Sequence, residues 1–138
     1  MSEKITVDVV ANAPIEKVWE YWTEPAHITR WCFASDDWCA PYAENDVQVG
    51  GSFKTRMEST DRKNGFDFNG VYTEVTRPYL LHYTIQGGRT VQIAFEEQDD
   101  GCKITETFDS EDENPIQMQK AGWQAILENF KKYTESHV

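Results

Sequence analysis

The chain has 138 residues, the size of one ordinary domain, and can bury a core without disulfide or metal staples. Thirteen basic residues against twenty-four acidic ones leave a net charge of −11, which repels phosphate backbones and anionic lipid surfaces and excludes nucleic acid and membranes as expected partners. The polar, charged start Met1–Asp8 and the lack of an apolar run near the roughly 18 to 20 residues of a membrane span add the expectation of a cytoplasmic protein, neither secreted nor embedded.

Lys4 to Val10 alternates, with Ile5, Val7 and Val9 on one face, and predicts a half-buried strand. Asn12-Ala13-Pro14 supplies a capping residue and a proline suited to the first helical position, and Ile15, Val18, Trp19 and Trp22 recur behind it at helical spacing. Thr23-Glu24-Pro25 breaks that helix and opens a second short one carrying Ile28 and Trp31. Phe33 to Glu44 has no period and contains Ser35-Asp36-Asp37-Trp38 and Pro41, so it reads as a loop long enough to form a rim or lid.

Turn signals follow at Gly50-Gly51, Asn64-Gly65, Arg77-Pro78, Gly87-Gly88 and Asp99-Asp100-Gly101. Between them Phe53-Thr55-Met57, Phe68-Gly70-Tyr72, Leu81-Tyr83-Ile85, Val91-Ile93-Phe95 and Ile104-Glu106-Phe108 fall on alternating positions, the pattern of an antiparallel meander. Asn114-Pro115 repeats the cap-plus-proline signal behind the acidic run Glu111-Asp112-Glu113, where a helix dipole favours negative charge. A long helix extends from there to about Glu135, with Ile116, Trp123, Ile126, Leu127, Phe130 and Tyr133 on its apolar stripe. Gly122 inside it costs about 1 kcal/mol against alanine, which close approach to an aromatic ring or the sheet would justify. The order is α+β, one antiparallel sheet with a helix laid across one face, and a curl in the sheet makes the gap a cavity.

Five segments carry a further signal: Ala13-Pro14-Ile15-Glu16-Lys17-Val18-Trp19, then Trp22-Thr23-Glu24-Pro25 with Trp31, Asp46 to Phe53, Phe68 to Val75, and Gly122-Trp123-Gln124-Ala125-Ile126-Leu127. In this order, over nearly the whole chain, they resemble the START-like (SRPBCC) superfamily, and within it the branch named after the ATPase activator of the ninety-kilodalton heat-shock chaperone. The resemblance implies a helix-grip fold: a curved sheet of about six to seven strands wrapped around the C-terminal helix, as a single domain over residues 1–138. The superfamily is implied to include lipid and hormone carriers, aromatic cyclases and co-chaperone domains, so the fold alone does not choose a function.

Candidate pocket residues are Trp31, Trp38, Phe53, Met57, Phe68, Tyr72, Tyr83 and Trp123, placed on the concave face, on the facing helix or at the rim. Each also fits an ordinary core. Glu106 stands where the strand pattern demands an apolar side chain, and it enters the pocket, turns to solvent at a bulge, or pairs with a cation. It is the best candidate for a catalytic group. Glu74 shares parity with Tyr72 unless a bulge intervenes, and His82 falls on the convex face. Cys32, Cys39 and Cys102 are odd in number and match no zinc spacing, so reduced thiols are expected; Asp36 and Asp37 with Cys39 would need the loop to fold back to hold an ion, and no metal or cofactor is implied. Three functions stay open: binding of a small hydrophobic or aromatic molecule, regulation of a chaperone through the outer surface, and a cyclase- or hydrolase-type reaction using Glu106 with Tyr72 or Tyr83.

Overall fold

A computed structural model describes residues 3–137. In chain order the elements are β1 (Lys4–Ala11), α1 (Ile15–Thr23), α2 (Pro25–Ile28), β2 (Trp38–Asn45), β3 (Ser52–Ser59), β4 (Gly65–Thr76), β5 (Leu80–Ile85), a 3₁₀ turn (Gln86–Gly88), β6 (Thr90–Gln98), β7 (Gly101–Asp109) and α3 (Ile116–Ser136). The seven strands form one curled antiparallel sheet in the order β1-β7-β6-β5-β4-β3-β2. Strands β2 to β7 are consecutive hairpin neighbours, whereas β1 returns to pair with β7, so α1 and α2 carry the chain from one edge of the sheet to the other.

The alternating positions face the concave side as the sequence predicts: Ile5, Val7 and Val9 are buried in β1, and Cys102, Ile104, Glu106 and Phe108 in β7. On β4 the register slips between Tyr72 and Glu74, a bulge that leaves Glu74 exposed and brings Val75 toward the core. His82 lies on the convex face, bonded to the Thr73 hydroxyl at 2.6 Å.

Three expectations are corrected. Phe33–Glu44 is not all loop, because Trp38–Asn45 forms an edge strand. It pairs only with β3 and is bulged between Cys39 and Tyr42, where Pro41 sits without a missed ladder bond; an edge strand buried on neither full face carries no alternation to read. Neither asparagine caps its helix. Pro14 and Pro115 are themselves the N-caps, in extended conformation, and their carbonyls accept the first helical bonds from Lys17 and Val18 and from Met118 and Gln119. The acidic run organises the turn before α3 instead, as the Glu111 carboxylate accepts from the backbone N–H of Glu113 and Asn114. Gly122, finally, meets no close neighbour, since a Cβ added there would find nothing within 4 Å.

Helix α3 packs along β1 and across the sheet. Leu127, Phe130 and Thr134 are fully buried, while Ile116, at the start of the predicted stripe, lies in solvent. Phe130 meets the rings of Trp22 and Trp31, each at 4.8 Å. Asn129 donates to the carbonyl of Trp31 at 2.9 Å, Gln124 to that of Asp8 at 3.0 Å and Lys131 to that of Val10 at 2.8 Å, which lock the helix to β1 and to the turn after α2. No helix among the described residues is long and apolar enough to cross a membrane.

Candidate functional site

The first half of α3 does not close on the sheet. Between it and β3, β4 and β5 lies a cavity of about 550 Å³. Its walls are aromatic: Phe53 lies edge-on to Tyr83 at 4.7 Å, Phe68 meets Trp123 at 5.9 Å, and Trp123 stacks flat on Phe108 at 3.8 Å. Phe53 lies across Gly70 of the neighbouring strand. A Cβ at Gly70 would come within 2.9 Å of the Phe53 ring and 2.5 Å of the Thr84 carbonyl, so the glycine makes room for that wall.

Of the residues singled out from sequence, Trp31, Phe53, Met57, Phe68, Tyr72, Tyr83, Glu106 and Trp123 line this cavity. Trp38 does not. It stands outside, tilted against Phe66 at 6.0 Å, because β2 is the edge strand and its first residue lies at the far end of the curl. Sequence reasoning missed Trp22, Cys32, Asn45, Thr55, Gln119 and Ile126. Thr55 and Ile126 carried a signal, being in phase with Phe53 and Met57 and with Trp123. Asn45 carried none, as its strand was not legible.

Two polar devices fix the walls. Tyr72 donates to Asn45 Oδ1 at 2.6 Å, and Asn45 Nδ2 donates to the Thr23 carbonyl at 2.8 Å, joining β4, β2 and α1. Gln119 accepts from the backbone N–H of Glu111 and donates to the carbonyls of Asn114 and Glu111, which ties the turn before α3 to the helix at the cavity edge.

Glu106 is the central polar group. Its strand runs without a bulge, paired with Val7 on β1 and Ile93 on β6, so alternation carries the carboxyl inward with 5% exposure. Among the described residues it has neither a hydrogen-bond partner nor an ion pair, and its oxygens open on the cavity rather than being sealed in protein. Burial therefore pushes its pKa up to about 8, and the acid is mostly neutral at pH 7. The neighbouring groups move the same way: Cys32 rises to about 12 and Tyr83 well above the usual phenol value, through burial first and the Glu106 charge second. Tyr72 reaches about 12 by burial.

This chemistry suits holding more than attacking. A nucleophilic thiol needs a depressed pKa, and Cys32 is shifted in the opposite direction. The neutral carboxyl can donate one hydrogen bond and accept another, and it can yield its proton to a base that enters the cavity. Among the described residues no three of His, Cys, Asp and Glu stand together where a metal could sit, so Asp36, Asp37 and Cys39 do not gather.

A curled antiparallel sheet that grips a long helix over an apolar cavity defines a START-like helix-grip protein. The chain belongs to the family of Activator of Hsp90 ATPase homolog 1-like proteins, whose family model matches residues 12–135. It is similar to an AHSA1-like protein from Aeromonas hydrophila known by solution NMR, with 40% identity, TM-score 0.91, and coverage of 97% of this chain and 93% of that one. A solution structure from Cytophaga hutchinsonii shares 52% identity at TM-score 0.83, covering 96% of this chain and 92% of that one. A crystal structure from Chromobacterium violaceum shares the fold at 22% identity and TM-score 0.87, covering 96% of this chain and 98% of that one. No curated protein matches the sequence.

Proposed function

We propose that this protein is a container that shelters one small apolar or aromatic molecule between α3 and the concave face of β3, β4 and β5. The observation that carries this reading is the aromatic cavity of about 550 Å³ with one unpartnered buried carboxyl directed into it. Small-molecule sites occupy roughly 300 to 1,000 Å³ and combine apolar walls with a few placed polar groups. A core serving stability alone has no use for an unpaired acid, whose burial costs free energy.

Native mass spectrometry of the protein isolated from its own host tests this directly. The expected result is a retained non-protein mass of a few hundred daltons, released on denaturation. Absence of such a mass, together with failure of small aromatic probes to bind, would overturn the container.

A second reading takes its support from the family match over residues 12–135, whose description names an activator of the Hsp90 ATPase. In that case the outer surface acts on a chaperone and the cavity is incidental. A chaperone ATPase assay separates the two: stimulation that survives plugging of the cavity favours the regulator, and no stimulation leaves the container.

A further inference from the structure

The container reading leaves the polar end of the guest unspecified, and the charges around the cavity narrow it. Glu106 is 5% exposed on an unbroken strand, and among the described residues no cation pairs with it. Its register neighbours Val7 and Ile93 are aliphatic, α3 contributes Trp123 and Ile126 to the cavity, and the titratable groups beside Glu106 are the proton-bearing Cys32 and Tyr83, with Tyr72 beyond. No lysine or histidine among the described residues lines the cavity.

The entrance carries the same sign. Glu44 and Glu113 are exposed and Glu111 is half-buried among the lining residues, against the single base Arg89, in a chain of net charge −11. A cation is drawn to such a mouth and an anion is repelled. Inside, the lining rings of Trp31, Phe68, Tyr83 and Trp123 supply the aromatic surroundings whose quadrupoles attract a desolvated ammonium.

We propose that the guest is a protonated organic amine with an apolar or aromatic body, its ammonium seated on the Glu106 carboxyl and its body among the aromatic walls. This rests on the container reading and narrows it. The ammonium enters with its protons, the Glu106 O–H bond breaks, the proton leaves to solvent, and an ammonium–carboxylate pair remains. Near pH 7, where burial keeps Glu106 mostly protonated, up to one proton is released for each amine bound. Cys32, Tyr72 and Tyr83 keep their protons between pH 6 and 8, so the exchange belongs to Glu106. A guest that only accepts a hydrogen bond from the neutral acid has the opposite dependence and weakens as pH rises.

Isothermal titration calorimetry with three probes of one shape tests this: 1-naphthylmethylamine, the isosteric neutral 1-ethylnaphthalene, and 1-naphthoate. At pH 8 the amine should bind about tenfold or more tighter than ethylnaphthalene, since a hydrogen bond to a charged partner contributes roughly this much. Naphthoate should be weakest. The amine should gain at least tenfold between pH 6 and 8 while ethylnaphthalene stays flat. In buffers of different ionisation enthalpy the amine alone should release protons. In Glu106→Gln the amine should lose its pH dependence and proton release, with ethylnaphthalene binding retained. An amine that binds no tighter than ethylnaphthalene at pH 8, or without proton release, overturns the amine while leaving the container standing. If no probe binds, the amine is overturned, and the container falls with it where the native protein also retains no guest. The wild-type measurements decide the matter even if the variant fails to fold.

Discussion

Along α3 the second half and the first half bury the same kinds of side chain to different ends. Leu127, Phe130 and Thr134 are sealed against β1, α1 and the Trp22–Trp31 pair, whereas Trp123 and Ile126 are half-buried and Met118 is 61% exposed. The filled half packs on β1 and shares one core with the aliphatic side chains Ile5, Val7, Val9, Ile93 and Ile104. The hollow half has large rings meeting edge to face or tilted around a gap, bordered by the Tyr72–Asn45–Thr23 and Gln119 hydrogen bonds. Rigid rings pinned at their edges can stand as walls. Flexible aliphatic side chains would collapse into the space. Glu106 lies at the boundary, flanked by the filled strands and open to the gap.

The sharpest break of this comparison is Phe130→Ala. It removes a ring that is 0% exposed and should cost about 3 to 5 kcal/mol in denaturant unfolding. Phe68→Ala removes a ring that already borders a void and should cost less than half as much, with the cavity enlarged. Equal costs would mean that the two halves are packed alike.

Next comes the pH dependence of Glu106. Its folded-state pKa of about 8 stands above the ordinary glutamate value of 4.5. The fold therefore holds a proton that the unfolded chain has lost, and the contribution is fully present below pH ~4.5 and lost as pH climbs toward 8, by roughly 1.4 kcal/mol per unit. Asp109, Asp61 and Glu135 have lowered pKa values through their hydrogen bonds, and their contribution is lost as pH falls into the carboxylate range, so it does not mask the loss of stability from pH 5 to 8. Glu106→Gln should remove the slope. Thermal and urea melts should show its stability relative to wild type improving by a few kcal/mol from pH 5 to pH 8. Parallel curves would mean that the carboxyl is solvated or paired.

The smallest effect tests the helix over the hollow half. Gly122→Ala adds a methyl group into open space and should raise stability by about 1 kcal/mol, read as a higher urea midpoint with unchanged slope. A loss would show that the glycine is needed for an approach to the sheet.

Much of this arrangement was legible in the residues. The alternation of Ile104, Glu106 and Phe108 put an acid in phase with the concave face, with a bulge or an ion pair left open, and the stripe of Trp123, Ile126 and Phe130 placed the helix over the sheet. What periodicity could not express is depth: Trp123 and Phe130 carry the same signal, yet one lines a void and the other fills one. The edge strand Trp38–Asn45 was hidden because its side chains alternate against nothing, and with it went Asn45 and the position of Trp38. Asn12 and Asn114 had the chemistry of caps, but each is followed by a proline N-cap whose own carbonyl starts the helix.

An NMR titration of the isotope-labelled protein with 1-ethylnaphthalene distinguishes a helix with one hollow and one filled half from a uniformly packed one. Saturable shifts and probe-to-protein NOEs are expected at Phe53, Phe68, Tyr83 and Trp123, with Leu127, Phe130, Ile5 and Val9 unmoved. Shifts confined to the outer surface, or spread equally over both halves, would contradict that division.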